Sequence, residues 1–290
     1  MTTIPGRKRR RGKRRGHGIS PWVPNQHGAW AMLTSPAALG LVSGFTEHVL
    51  AGNSDLRPLI VLPAVLIAWF FGYFTFFAFG LVTKARNPQR RSGYMKPIYV
   101  YGPIAGAGIA VALALQPQLL WWAIPFTPLV GIAVWETLRG RGRSVLSGVS
   151  TVVASALLLP AMTAVGGGGG APWQVPIIIW VCMVFLALYF SGTIPFVKTM
   201  IRERYNPLYL KISISYHLVA LMIVSGLAVW AGRWVAGLLA VVTMVVALGR
   251  AVGIPWSARH GKPWTAQRVG MAEVPVLLLA CAAVIAAVFG

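Results

Sequence analysis

The sequence predicts an all-α fold, a polytopic membrane helical bundle of about nine transmembrane helices with its N-terminus in the cytosol. Of its 290 residues, 57% are hydrophobic and 11% are charged, whereas soluble domains carry about 25% charged residues. Apolar segments of about 17–25 residues, the length that a membrane helix needs, recur along the chain. We therefore expect a disordered basic cytosolic tail over residues 1–20 and a single transmembrane domain over residues 21–290.

The polar breaks between the apolar segments define the predicted spans. The nine spans cover approximately residues 29–45, 59–82, 98–115, 119–138, 145–165, 174–197, 212–230, 234–252 and 269–289. The five glycines Gly166–Gly170 separate the fifth span from the sixth and predict a flexible connector. Prolines within the spans predict kinks, which a bundle tolerates where neighbouring groups satisfy the freed carbonyl.

The positive charge predicts how the bundle is oriented. The chain has 26 Lys and Arg against five acids, a net charge of +21. In the nine-span arrangement 24 of these 26 cations lie in the N-terminal tail, in loops on its side or, for Arg250, near the end of a span on that side, and only Arg57 and Arg233 lie opposite. Because cytoplasmic loops are rich in Lys and Arg, the N-terminus is predicted inside and the C-terminus outside.

The same charge distribution bears on partners and location. The basic residues form short patches between apolar segments, which favours contact with the bilayer and with anionic lipids at the cytosolic face of the cytoplasmic membrane. A nucleic-acid-binding protein carries its charge along one continuous face or helix, so nucleic acid is not expected as a partner.

Two basic clusters follow predicted spans. After a proline kink at the end of the sixth span come Lys198, Arg202 and Arg204, and the first two share a helix face because they stand four residues apart. The second span ends in a similar way, with Lys84 and Arg86. Each cluster either anchors a helix end at the interface or helps to bind an anion.

Polar residues on the same predicted side extend this candidate site. Those at the start of the first span are Asn25, Gln26, His27 and Trp30. They either cap free helix amides or help the exposed helix N-terminus to bind an anion. Tyr216 and His217 belong to a polar face of the seventh span, which forms either an interhelical hydrogen-bond seam or a ligand or proton site.

Three of the five acids are predicted at the cytosolic ends of spans four, six and nine, and they are Glu136, Glu203 and Glu273. An unpaired acid costs roughly 2.5–3.5 kcal/mol at mid-bilayer. We therefore expect Glu273 to pair with a cation such as Arg202 or Arg86. Each of the three acids is a candidate for a structural ion pair or for a proton site.

Motifs of several common enzyme classes are absent from the sequence. It contains no Gly-x-x-x-x-Gly-Lys phosphate loop, no Gly-x-Ser-x-Gly elbow and no His-Glu-x-x-His motif. Its acids are too scattered for a carboxylate-bound magnesium site, and Cys182 and Cys281 lie in apolar segments without metal-binding spacing. The sequence therefore predicts no metal and no cofactor, and it assigns no catalytic residue.

Three motifs resemble the YwiC-like family of bacterial multi-pass membrane proteins. They are the segments 24–30 (PNQHGAW) and 192–204 (GTIPFVKTMIRER) and the pair Tyr216-His217. The resemblance extends from about residue 21 to the end of the chain. It implies an integral protein of the bacterial inner membrane, from a family with no established biochemical activity.

The nine-span count and the polar loops after spans two and six also look similar to the UbiA-type intramembrane prenyltransferases. That family uses two Asp-rich motifs at these places to hold magnesium and a prenyl diphosphate. This sequence has the basic clusters there instead, and Asp55 is its only aspartate. The resemblance therefore leaves enzyme activity open and argues against the metal-dependent reaction.

Together these features favour a cytosol-facing basic pocket that binds an anionic or phosphate-bearing lipid or metabolite. Three alternatives remain open: a small-solute or ion transporter, a membrane scaffold or assembly factor, and a UbiA-like transferase with altered chemistry. A transporter needs a path to both faces of the membrane, whereas a binding site needs only a cytosolic mouth. A scaffold would lose protein partners, and no small ligand, when its basic clusters are changed.

Overall fold

The computed structural model describes residues 20–24, 27–52, 54–204, 206–261 and 264–290, except for the side chain of His27. Residues 1–19 of the predicted tail and the candidate ligands Asn25 and Gln26 lie outside this part of the chain. The α-helices are α1 (His27–Leu50), α2 (Arg57–Val82), α3 (Pro88–Leu115), α4 (Ala123–Leu138), α5 (Val145–Ala156), α6 (Leu158–Gly166), α7 (Ile177–Ile201), α8 (Pro207–Ala231), α9 (Trp234–Arg259) and α10 (Ala266–Phe289).

In the described residues these helices form nine rods. A 3₁₀ turn, Pro117–Trp122, continues into α4, and α5 and α6 together form one bent rod. Eight of the nine rods are long and apolar enough to cross a membrane, which confirms the prediction of an all-α, multi-pass membrane protein. The other rod is α1, whose polar residues include Thr34, Ser35 and Ser43. Its crossing of the membrane stays a prediction, as does the orientation of the bundle.

The bent rod of α5 and α6 is the most buried of the eight apolar rods. Every residue of α6 is buried, as expected for a helix that is apolar all round. Pro160 lies in the first turn of α6, and its missing N–H interrupts the helix hydrogen bonds where the rod bends at Leu157. The predicted fifth span is therefore a single rod with a proline-associated bend.

Small residues let α1 pack closely against α6. A Cβ on Gly40 would lie 3.0 Å from the carbonyl oxygen of Leu158, and one on Gly44 would collide with the α6 backbone. The hydroxyls of Ser43 and Thr163, 2.7 Å apart, form a hydrogen bond across the same interface. Membrane helices commonly associate through small residues and interhelical hydrogen bonds of this kind. The less apolar α1 is thereby fixed to the buried rod.

The glycine run after α6 forms a hydrogen-bonded turn, and its flexibility stays a prediction. Gly166 ends α6, and Gly168 and Gly170 adopt φ angles of 83° and 78°, which glycine reaches without steric cost. The indole N–H of Trp122 donates a hydrogen bond to the Gly170 carbonyl at 2.9 Å. Spacing alone did not reveal this partner, because Trp122 lies about fifty residues earlier in the chain.

One of the two cations predicted on the outer side is paired. The Arg57 side chain donates hydrogen bonds to both carboxylate oxygens of Asp55, at 3.0 and 2.9 Å, and the two groups form an ion pair. These hydrogen bonds lower the pKa of Asp55. The pairing reduces the positive charge at this end of the bundle, which agrees with the predicted charge asymmetry.

The contact between α1 and α6 predicts a cost for a larger residue at Gly44. We expect Gly44→Ala to lower the free energy of unfolding by about 1–3 kcal/mol, the usual cost of adding atoms to a packed interior. Gly131→Ala in α4 is the matched control, since a Cβ there meets nothing within 4 Å and alanine favours a helix. Unfolding in detergent measures both variants, and equal stability would contradict the close packing.

The charge asymmetry predicts which side of the membrane each loop faces. In a variant without Cys182 and Cys281, Arg139→Cys should react with a membrane-impermeant maleimide only from the cytosolic side. Arg57→Cys should react only from the outer side, since both positions are exposed at opposite ends of the bundle. Labelling of right-side-out and inverted vesicles separates the two cases, and the reverse pattern would overturn the predicted orientation.

Candidate functional site

A cavity of about 250 Å³, here called the basic cavity, lies at the end of the bundle that is predicted to face the cytosol. Its walls come from the first half of α1, the second half of α2, the end of α4, the loop that leads into α5, α5 itself and Ile194 of α7. These segments are far apart in the sequence. The fold brings them together because consecutive helices run antiparallel, so the start of α1, the end of α2, the end of α4 and the start of α5 lie at the same end of the bundle.

Two cations line the basic cavity. Lys84 comes from the end of α2 and Arg143 from the loop before α5, and both are exposed. No carboxylate lines the cavity among the described residues. Neither cation forms an ion pair in that part of the chain. Their charge is therefore available to an anion at the mouth of the cavity.

The other two arginines of the loop before α5 are engaged by the protein itself. Arg141 forms an ion pair with Glu136 at 2.6 Å, and this carboxylate is 2% exposed. The guanidinium of Arg139 lies 4.4 Å from the centre of the Trp135 ring, a cation–π contact. Arg143 is thus the cation of this loop that remains for a ligand.

Hydroxyl side chains continue from the mouth along one face of α5. Ser147, Thr151 and Ser155 recur every four residues and line the basic cavity. The Thr151 hydroxyl donates to the Ser147 carbonyl at 2.8 Å, and Ser155 donates to the carbonyl of Met32 in α1. This wall is polar and carries no charge, so the positive charge of the cavity is confined to its mouth.

A larger cavity of about 570 Å³, here called the apolar cavity, adjoins the basic one. It lies among α2, α3, α4 and the rod of α5 and α6. The residues that line both cavities are Trp69, Tyr73, Phe76 and Thr151. The other residues around the apolar cavity are almost all aliphatic or aromatic. A charged mouth and an apolar space therefore lie side by side behind one largely aromatic wall.

The predicted ligand residues are distributed differently from expectation. Among those whose side chains the structure describes, only Lys84 lines the basic cavity. Arg86 is exposed in the loop after α2. The Trp30 indole N–H donates to the Pro24 carbonyl at 3.0 Å, so Trp30 holds the chain entering α1. His27 is the first residue of α1, as predicted for a residue at the start of the span.

The basic cluster after α7 lies apart from the basic cavity. The Lys198 ammonium lies 5.9 Å from the centre of the Tyr209 ring in α8. Arg202 is exposed directly after α7, and Arg204 is half-buried two residues later. Glu203 accepts a hydrogen bond from the Asn206 side chain at 3.1 Å. Lys198, Arg202 and Arg204 are therefore not among the residues that line the basic cavity with Lys84.

A second polar site, here called the buried cluster, lies among α7, α8, α9 and α10. Arg250 of α9 forms an ion pair with Glu273 of α10, and its guanidinium lies 4.4 Å from the centre of the Phe196 ring of α7. Arg250 is 7% exposed. Because α9 continues to Arg259, Arg250 lies well inside a membrane helix, whereas the predicted span ended two residues after it.

The prediction that Glu273 pairs with Arg202 or Arg86 is therefore wrong. It failed because the predicted eighth span ended at residue 252, so Arg250 was counted as a cation at the cytosolic end of that span and not as a partner for Glu273. The sequence does hold a signal for the pair, since Arg250 and Glu273 both interrupt long apolar segments. Ionisable residues within membrane spans usually pair with one another.

His217 of α8 belongs to the buried cluster and is 1% exposed. Its Nδ1 lies 2.7 Å from the Ser213 carbonyl oxygen, so we assign the proton to Nδ1 and an acceptor role to Nε2. Nε2 faces α7 at Gly192, where a Cβ would lie 3.0 Å away. The Tyr216 hydroxyl donates to the Leu188 carbonyl at 3.0 Å. Tyr216 therefore joins α8 to α7, and Gly192 makes room for the imidazole.

Among the described residues, no group of three or more His, Cys, Asp or Glu side chains is placed to hold a metal ion. The side chains that could hold a ligand are the two cations of the basic cavity, Lys84 and Arg143. Of these, Arg143 was not among the predicted ligands, because its spacing from Lys84 in the sequence gives no sign that they line one cavity.

Comparison with known proteins finds similarity to one family. A family model described as YwiC-like protein matches residues 23–163, the segment that includes α1 to α5 and most of α6. The resemblance to the YwiC-like family is confirmed. The matched segment contains both cations of the basic cavity, while Arg250 and Glu273 lie beyond it.

Two relatives extend the YwiC-like match over more of the chain. "Uncharacterized protein YwiC" of Bacillus subtilis is 28% identical over 256 residues, which are 87% of this chain and 92% of the relative. A Haemophilus influenzae protein, printed as "Uncharacterized protein", is 26% identical over 205 residues, 69% of this chain and 76% of the relative. No solved structure matches the chain.

Proposed function

We propose that the protein binds an anionic amphiphile, with its phosphate or carboxylate head in the basic cavity and its hydrocarbon chain in the apolar cavity. The observation that carries this proposal is the position of two unpaired cations beside a large apolar space. A lipid of the cytoplasmic membrane, the proposed location, offers both chemical features in one molecule. A phosphorylated metabolite offers only the first.

The charge at the mouth suits a phosphate group. An Arg guanidinium binds phosphate through two parallel hydrogen bonds, and a Lys ammonium adds a mobile point charge. With no carboxylate among the described lining residues, the head does not compete with a protein anion. Glu136, near the end of α4, is paired with Arg141. This carboxylate therefore does not compete with the ligand for Lys84 and Arg143.

The size and lining of the two cavities suit an amphiphile. Their volumes, about 250 and 570 Å³, are comparable with the ~300–1,000 Å³ of small-molecule sites. The residues that line both cavities would contact the ligand where its head joins its hydrocarbon chain. This arrangement differs from magnesium-dependent prenyl transfer, which needs carboxylates near the diphosphate, so we propose binding and no metal-dependent chemical step.

Native mass spectrometry of the purified protein tests the proposal. Wild-type protein should retain an anionic lipid, and Lys84→Gln with Arg143→Gln should raise its dissociation constant by about tenfold or more for each contact and so lower its occupancy, since a hydrogen bond to a charged group contributes about 1.5–3 kcal/mol. The mass of the bound species distinguishes a lipid from a metabolite without a hydrocarbon chain.

Two matched controls make the result specific. Arg86→Gln with Arg139→Gln removes the same charge from the same two loops outside the cavity, and it should leave occupancy unchanged. Lys198→Gln with Arg202→Gln tests the other basic cluster and should also leave it unchanged. Equal occupancy in the wild type and in the Lys84 and Arg143 variant would overturn the proposal.

Transport of a small solute or ion is the second candidate function. The observation that favours it is the Arg250–Glu273 pair within membrane helices, since intramembrane charges often mark ion and proton paths. In the variant without Cys182 and Cys281, Thr151→Cys in the basic cavity should be labelled from the cytosolic side alone if the site only binds. Labelling from both sides would favour transport.

A further inference from the structure

The buried cluster holds charge deep within the helices. At ~1.5 Å per residue, Arg250 lies about 14 Å from the end of α9 at Arg259, and Glu273 lies about 10 Å from the start of α10 at Ala266. Charge at this depth is not needed to orient the chain, because loop cations already do so. Ionisable side chains within membrane spans are rare and often belong to proton relays.

The ion pair leaves polar atoms of both kinds without a protein partner. Those with no hydrogen bond in the described residues include Arg250 Nε and Nη2, Glu273 Oε1, His217 Nε2 and Ser213 Oγ. The guanidinium nitrogens donate, whereas the carboxylate oxygen and the imidazole nitrogen accept. An ion pair that only joined α9 to α10 would not need a buried acceptor without a hydrogen bond, such as His217 Nε2, on α8. Burying such an acceptor costs free energy. Water molecules and exchangeable protons suit this mixture of donors and acceptors.

Titratable groups approach the pair from each surrounding helix. Tyr189 of α7 interacts electrostatically with both Arg250 and Glu273, and His217 of α8 interacts with Arg250. Cys281, two turns further along α10, interacts with Tyr189. Among these described groups, Arg250 is the one fixed positive charge that acts on Glu273. Loss of the negative charge on Glu273 would therefore change the net charge of the whole cluster.

We propose that His217, Arg250 and Glu273 form an intramembrane proton-binding site. The Glu273 carboxylate takes up a proton from water and becomes a neutral acid, and it returns the proton to water when the carboxylate re-forms against Arg250. The Glu273 side chain is 19% exposed against 4% for Arg250, while its Oε1, the oxygen without a hydrogen bond, is buried within the cluster. The proposal is independent of the amphiphile site, with which these three residues share no wall.

Infrared spectroscopy of the full chain at a series of pH values tests the proposal. The wild type should show a carbonyl band of a protonated carboxylic acid that disappears as pH rises, and Glu273→Gln should remove this band. Glu136→Gln is the matched control, because Glu136 also pairs with an arginine but at the exposed loop before α5. That variant should retain the band. A wild type without the band, or a band unchanged in Glu273→Gln, would overturn the proposal.

A hydrophobic carbodiimide provides a second measurement that needs no variant. It adds a protonated carboxylic acid across one of its C=N bonds, and the adduct rearranges to a stable acylurea with no leaving group. Peptide mass analysis of the wild type should find this adduct on Glu273, with a rate that falls about tenfold per pH unit once the carboxylate predominates. No adduct on Glu273, or a rate that does not depend on pH, would overturn the proposal.

Discussion

Close packing of α1 against the buried α6 is the contact on which much of the first half of the molecule depends. Gly40 and Gly44 bring the two backbones together, and Ser43 bonds to Thr163. Because lipid is as apolar as a leucine side chain, the association of membrane helices relies on such contacts more than on hydrophobic burial. Toward the start of α1 the larger side chains of Met32 and Leu33 face α2 and α5 at the basic cavity. The same helix that is fixed to α6 therefore also forms part of the wall of the basic cavity.

Electrostatics divides the charged residues into three groups. Loop cations such as Arg202 are exposed, and their charge is sufficiently explained by orientation in the membrane. Lys84 and Arg143 are exposed as well, but they line a cavity without a described carboxylate. Arg250 is removed from water and held by Glu273. Only the last two groups need an explanation beyond topology, because a cation that merely follows the positive-inside rule needs neither a cavity nor a buried partner.

The sequence predicted the helices well and their lateral contacts poorly. Hydropathy and length are local properties, so the nine rods follow from them even though Pro160 bends one of them. Which helix faces which is decided by packing between residues that are far apart, and this is why Arg143 was overlooked while Lys198 was expected in the cavity. Arg250 was overlooked as a partner for a different reason: it was counted among the cytosolic cations at the end of a span, although a buried partner such as Glu273 can hold such a charge within the helix.

The segment from Gly192 to Phe196 in α7 connects the two sites. Ile194 lines the basic cavity, whereas Gly192 makes room for His217 and Phe196 stacks on Arg250. Pro195, between them, cannot donate the hydrogen bond that would hold the preceding helical turn. A shift of this turn toward one site would therefore alter the wall of the other. The two proposed sites therefore share one helix segment, although their own residues share no wall.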